Sequence, residues 1–138
     1  MRRALLRRAI WLAIAAAAVT VLALAATLEP DARGHGTHEQ LGLPPCGFFA
    51  LTGAPCPACE LTTAFAYLAR ADLFGALSAN AGAIPLFALT LAAVPFAALG
   101  AVTGRRFELL ARSRAASRAA LVVVVALLLA WVVRVCPG

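Results

Sequence analysis

The chain has 138 residues, room for one domain. Hydrophobic residues make up 63% and charged residues 13% of it, against roughly 45–50% and about 25% in soluble domains, and a water-soluble fold of this size could not hide so much apolar surface. The net charge of +6 comes from twelve Arg and no Lys, clustered beside apolar runs, which suits bilayer orientation and anionic lipid headgroups and excludes a nucleic-acid role.

The first apolar run spans residues 9–28, after Arg2, Arg3, Arg7 and Arg8. Its twenty residues, at about 1.5 Å each, cover the roughly 30 Å hydrocarbon core of a bilayer. Trp11 stands where an indole can sit at the headgroup level. A cleaved signal peptide is the rival reading, because Ala23-Leu24-Ala25 gives an A-x-A match. The run is longer than the usual apolar core of such a peptide, which favours a retained anchor.

Residues 29–59 form a loop in which Pro30, Gly34, Gly36, Pro44, Pro45, Gly53, Pro55 and Pro57 prevent long regular elements. Residues 60–79 then read as a short amphipathic helix lying in the interface or packed on the other helices. Leu61, Phe65, Leu68 and Ala69 share one face, with Thr62, Thr63 and Arg70 elsewhere. Asp72 is predicted to cap a restarted helical turn, and Asn80 to make the turn that ends it.

The second span covers residues 82–102, with Pro95 expected to kink it and Gly100 and Gly104 in a GxxxG spacing. An Arg-rich link over residues 103–118 leads to the third span, residues 119–135, with Trp131 anchoring its far end. The N-terminus and this link hold nine Arg, while the first loop and the tail hold three. By the positive-inside rule the N-terminus and the link are cytoplasmic, and the loop and C-terminus are extracytoplasmic. The fold class is thus all-α integral membrane: three transmembrane helices plus the short interfacial helix after an external Cys-rich loop.

Under this topology Cys46, Cys56, Cys59 and Cys136 emerge on one side. In a bacterium that side is oxidising, so disulfides can persist there. Cys56-Pro57-Ala58-Cys59 is a C-x-x-C directly ahead of a helix. With Cys56 as N-cap, the helix dipole favours a thiolate and redox exchange, which the carboxylate of Glu60 next door opposes. A structural disulfide pins the loop equally well, within the pair or from one of its members to Cys46 or Cys136. A third reading adds His35 and His38 to Cys46, Cys56 and Cys59 as N and S ligands for zinc or copper. The spacing matches no compact zinc module, and two His in a Gly-rich loop are equally explained as solvated polar residues. No general base is paired with a nucleophile.

The run CGFFALTGAPCPACELTTAFAYLARADLFGALSANAG resembles a bacterial family of small membrane proteins of unknown function. The hallmark of that family is T-G-x-P-C-P-x-C-G-x-T, then a helix, G-D and, further on, N-P. Thr52, Gly53, Pro55, Cys56, Pro57, Cys59 and Thr62 match the first motif, and Asp72 and Asn80 the others. The resemblance covers roughly residues 34–90 and includes the His-containing loop. Glu60, Ala71 and Ala81 stand where the family has Gly, Gly and Pro. Loss of the two glycines implies that any tight backbone approach there is relaxed. The resemblance supports the architecture and centres it on the C-x-x-C loop, without implying a reaction.

The reading carried forward is a multi-pass protein of the bacterial inner membrane. Its functional centre is the external C-x-x-C loop, stapled by disulfides. A thiol–disulfide oxidoreductase using Cys56 and Cys59, and a His/Cys metal-binding protein, are the alternatives. The lipid bilayer is the one partner the sequence implies.

Overall fold

The computed structural model describes residues 2–54, 56–103 and 114–135. Helix α1 (Arg2–Thr27) leads through a 3-10 turn (Thr37–Leu41) to the short helix α2 (Gly47–Thr52). Helices α3 (Pro57–Ala69), α4 (Leu73–Asn80), α5 (Ala83–Thr103) and α6 (Arg114–Val135) follow. Three segments, Ala4–Thr27, Ala83–Thr103 and Ala116–Val133, are long and apolar enough to cross a membrane. This is the build of a multi-pass membrane protein.

These helices overlap the three apolar runs. The second span is displaced by one residue, beginning at Ala83 rather than Gly82. Helix α1 includes Arg2, Arg3, Arg7 and Arg8, since arginine is a good helix former and lets the helix run ahead of the apolar stretch. Helix α6 is described from Arg114 onward, so it includes part of the stretch expected to be the link. Pro95 is accommodated within α5.

Small residues let the helices approach one another, as they do in lipid-solvated bundles. Ala18 and Ala25 of α1 and Ala97 and Gly100 of α5 are buried. Gly100 faces the Trp11 ring so closely that an added Cβ would lie 2.6 Å from it. Trp11 therefore packs against α5, beyond the interfacial role expected from its position. The predicted partner of Gly100, Gly104, lies outside the described residues.

Helix α3 is wedged into the bundle, the second of the two placements expected for it. Ala64, Ala66 and Thr63 are fully buried, and Phe65 meets Phe87 of α5 edge-on at 5.2 Å. Ala25, Ala64, Phe65, Ala79 and Ala83 form the core, with Leu61, Leu68 and Ala69 packed against it. The apolar stripe was thus placed correctly. Thr63, expected on another face, is nevertheless inside, because the Thr37 hydroxyl meets its hydroxyl at 2.7 Å and satisfies both.

Within residues 60–79 the helix breaks between Ala69 and Leu73, at the point where Asp72 is expected to cap a restart. The Asp72 amide donates to the Tyr67 carbonyl and the Ala71 amide to that of Leu68, both at 3.0 Å, closing a Schellman turn. Ala71 holds φ +60° there. The turn thus holds an alanine in the left-handed conformation that glycine usually takes. A Cβ in that conformation costs roughly 1–2 kcal/mol. Ala71→Gly should accordingly raise stability by about 1 kcal/mol in thermal unfolding of the detergent-solubilised protein. A lower midpoint would contradict this account of the turn.

The contacts between elements define one end of the bundle. Arg70 of the α3 C-cap donates to the Ala25 carbonyl of α1 at 3.4 Å. A Cβ on Gly82, just before α5, would lie 2.6 Å from the Leu127 backbone of α6. Phe48 of α2 meets the Trp131 ring at 6.1 Å. The end of α1, the start of α5, the last turns of α6 and helices α2 to α4 thus gather together.

Candidate functional site: a three-cysteine cluster

Each cysteine reaches the cluster from a local structural device. Cys46 is the N-cap residue of α2, whose other end is closed by Gly53 at φ +70° with its amide on the Phe49 carbonyl. Cys56 is the N-cap of α3, as expected, in extended conformation with Pro57 in the first turn. Its sulfur accepts the Cys59 amide at 3.3 Å, the bond that Ser or Asp makes at other N-termini. Cys59, one turn into α3, is only 6% exposed.

The three sulfurs converge. The Cys46 thiol donates to Cys56 Sγ at 3.3 Å, and Cys56 and Cys59 Sγ lie 2.9 Å apart. All three fall within 4.8 Å of one another. A disulfide requires about 2.05 Å, and all three are free thiols. No sulfur pair among the three stands at that distance. Cys136, the fourth candidate, lies outside the described residues.

The environments of the thiols differ. The Phe49 backbone amide, followed by the Cys59 and Cys56 thiols, favours the Cys46 thiolate and brings its pKa down to about 7. Burial first, and then the neighbouring Cys56 and Cys46, push the Cys59 thiol up. The depressed thiol is thus the one outside the C-x-x-C. Because the thiolate is the nucleophile, alkylation of Cys46 should rise steeply through pH 7 and level off above it. Cys59 should stay unreactive across that range. Mass-spectrometric rates per cysteine, measured from pH 5 to 9, check this; equal profiles at the two positions would refute it.

The histidines proposed as ligands do not join the sulfurs. Among the described residues the ligand-like grouping contains Cys46, Cys56 and Cys59 and neither His. His35 packs its ring on Phe49 at 4.6 Å. His38 lies in the 3-10 turn, which docks on α3 through Thr37. The same loop holds Arg33 on Asp31 at 2.7 Å and on Glu39 at 3.3 Å.

Beneath the cysteines is a buried polar layer that sequence reasoning missed in part. Asp72 caps α4 as predicted, accepting the Gly75 amide at 2.8 Å. Asn80 does make the expected turn, accepting the Gly82 amide at 2.9 Å, but it is also buried. Its amide donates to Glu60 Oε2 at 3.4 Å. Glu60, 1% exposed, is the bulkiest fully buried side chain among the described residues. It extends to Asn80, twenty positions away, a pairing that local sequence cannot reveal. The one available signal was a lone acid at the start of an apolar helix.

The other concavities offer less chemistry. A cavity of about 420 Å³ between α1, α3 and α5 is lined by apolar side chains and two hydroxyls, Thr62 and Thr90. It presents no acid, base or metal ligand.

Residues 46–94 match the model of a family described as "Protein of unknown function (DUF2752)". Over this stretch the chain is similar to that family. The match begins at Cys46, so it contains all three clustered cysteines, Glu60, Asp72 and Asn80, and leaves the His35–His38 loop outside. No curated protein and no solved structure matches the chain.

Proposed function

We propose that this protein binds a soft d10 metal ion, zinc or copper(I), through the thiolates of Cys46, Cys56 and Cys59 at one membrane surface. The observation that carries the reading is the convergence of three free thiols within 4.8 Å of one another. Thiolate is the ligand type these ions select. Ligands about 2.3 Å from a shared ion in trigonal array stand about 4 Å apart. The present separations of 2.9 and 3.3 Å reach that value by small side-chain rotations. A metal at this point would tie α2, all of whose residues are at least partly exposed, to the buried start of α3.

The membrane is taken to be a bacterial inner membrane, with the cluster outside. The support is the nine Arg on the N-terminus and link against three elsewhere. A maleimide that cannot cross the membrane should label Cys136 in intact cells, and a cysteine introduced at Arg106 only after permeabilisation. The reverse pattern inverts the orientation.

Protein purified gently in detergent should carry about one zinc or copper per chain by elemental analysis. That content should survive His35→Ala with His38→Ala. Absence of both metals in protein whose three thiols remain reduced would end the metal reading.

Thiol–disulfide exchange is the second reading, supported by the 2.9 Å approach of Cys56 and Cys59 and the depressed pKa of Cys46 beside them. It predicts a C-x-x-C that cycles between dithiol and disulfide with a dithiol reagent.

A further inference from the structure

The metal-centre reading leaves the ion open, and the donor set narrows it. We infer that the site is a three-coordinate, all-sulfur centre for copper(I), rather than a tetrahedral zinc site. This inference rests on the reading that Cys46, Cys56 and Cys59 are metal ligands.

Zinc in structural sites takes four ligands in a tetrahedron. The candidates for a fourth stand outside the sulfur grouping, His38 of the 3-10 turn among them, and the others have partners of their own. His35 is stacked on Phe49, Asp31 and Glu39 are paired with Arg33, and the Glu60 carboxylate is turned to Asn80. No His, Asp or Glu among the described residues joins the three sulfurs within ligand distance. Copper(I) is content with three thiolates, and a purely sulfur set is the soft extreme that favours it. Two features make such a centre serviceable. Cys59 is buried, which shields one side of the ion from water and oxidants, while Cys46 and Cys56 are half-exposed and leave the other side open. Cys46 arrives on a separate short helix held by the ring contacts of Phe48 and Phe49, so it is the ligand best able to swing away and hand the ion on. Binding moves no electrons: each coordinating thiol gives its proton to solvent, and copper remains copper(I).

Full-length protein in detergent, reduced and kept anaerobic, is titrated with copper(I) against a copper(I)-specific chromophoric chelator. In parallel, zinc(II) is buffered at about nanomolar free ion, a level at which structural four-ligand sites stay occupied. The expected result is one copper(I) per chain, with a thiolate-to-copper band in the ultraviolet and three sulfurs in the copper X-ray absorption spectrum, unchanged in Cys136→Ser. Zinc should not be retained. Stoichiometric zinc retention that is lost in Cys136→Ser would overturn the copper assignment, showing a fourth sulfur and a tetrahedral site, while leaving the metal centre standing. Capture of neither ion by reduced protein overturns the metal centre itself.

Discussion

Cys56→Ser should weaken metal capture by at least about 100-fold while leaving the protein folded. Cys56 Sγ lies between the other two, 3.3 Å from Cys46 and 2.9 Å from Cys59, so its loss removes the link common to both. The same residue caps α3, accepting the Cys59 amide. Serine is among the preferred N-caps and keeps that bond, so the helix should change by no more than about 0.5 kcal/mol. The substitution thereby separates ligand from cap. Competition titration reads the first role and thermal unfolding the second. Wild-type affinity in Cys56→Ser would show that the sulfurs meet for another reason. A large loss of stability would show that the thiol is chiefly a packing group.

The second large effect concerns α6. Its membrane-spanning segment carries no buried residue, and its backbone comes close to Gly82. A Cβ there would stand 2.6 Å from Leu127 Cα, 2.8 Å from Leu127 N and 2.9 Å from the Ala126 carbonyl oxygen. These are backbone atoms, which cannot rotate aside as a side chain can. Gly82→Ala should therefore force α5 and α6 apart at a cost of about 1–3 kcal/mol. It should also loosen the Phe48–Trp131 contact that holds α2 to α6. Gly47→Ala is the control, because nothing lies within 4 Å of its added Cβ. Equal unfolding midpoints for the two variants would contradict the close approach.

Much of the fold was legible because bilayer solvation imposes one simple rule, a run of about twenty apolar residues per span. That rule picks out three runs, and among the described residues three helices are long and apolar enough to cross a membrane. The caps at Cys56 and Asp72 were equally readable, since capping is local chemistry between a side chain and an amide three residues on. Long-range pairing was not readable. Thr37 meets Thr63 across twenty-six positions, and Glu60 meets Asn80 across twenty. Each is a polar residue that hydropathy assigns to the surface and that a distant partner permits inside.

The cluster was half legible for the same reason. The C-x-x-C motif brings Cys56 and Cys59 together through one helical turn, whereas Cys46 arrives by way of the α2 turn and Gly53. Nothing in the spacing singled out Cys46 as the third sulfur beside the pair. The same limit admitted His35 and His38, which are near in sequence but held elsewhere by Phe49 and by the docking of Thr37. At Ala71 the left-handed conformation was not legible, because it is the Schellman hydrogen bonds that hold an alanine there.

The central claim is that Cys46, Cys56 and Cys59 act as one site, and metal-protected alkylation tests it most directly. Reduced protein is alkylated with a light reagent in the presence of one equivalent of copper(I) or zinc(II). The metal is then stripped, the remaining thiols are alkylated with a heavy reagent, and each cysteine is scored by mass spectrometry. The three-sulfur centre predicts that these residues take the heavy label together, in a single stoichiometric step with one of the two ions. Light labelling of all three regardless of either metal, or a bond between two of them that persists through reduction, would contradict it.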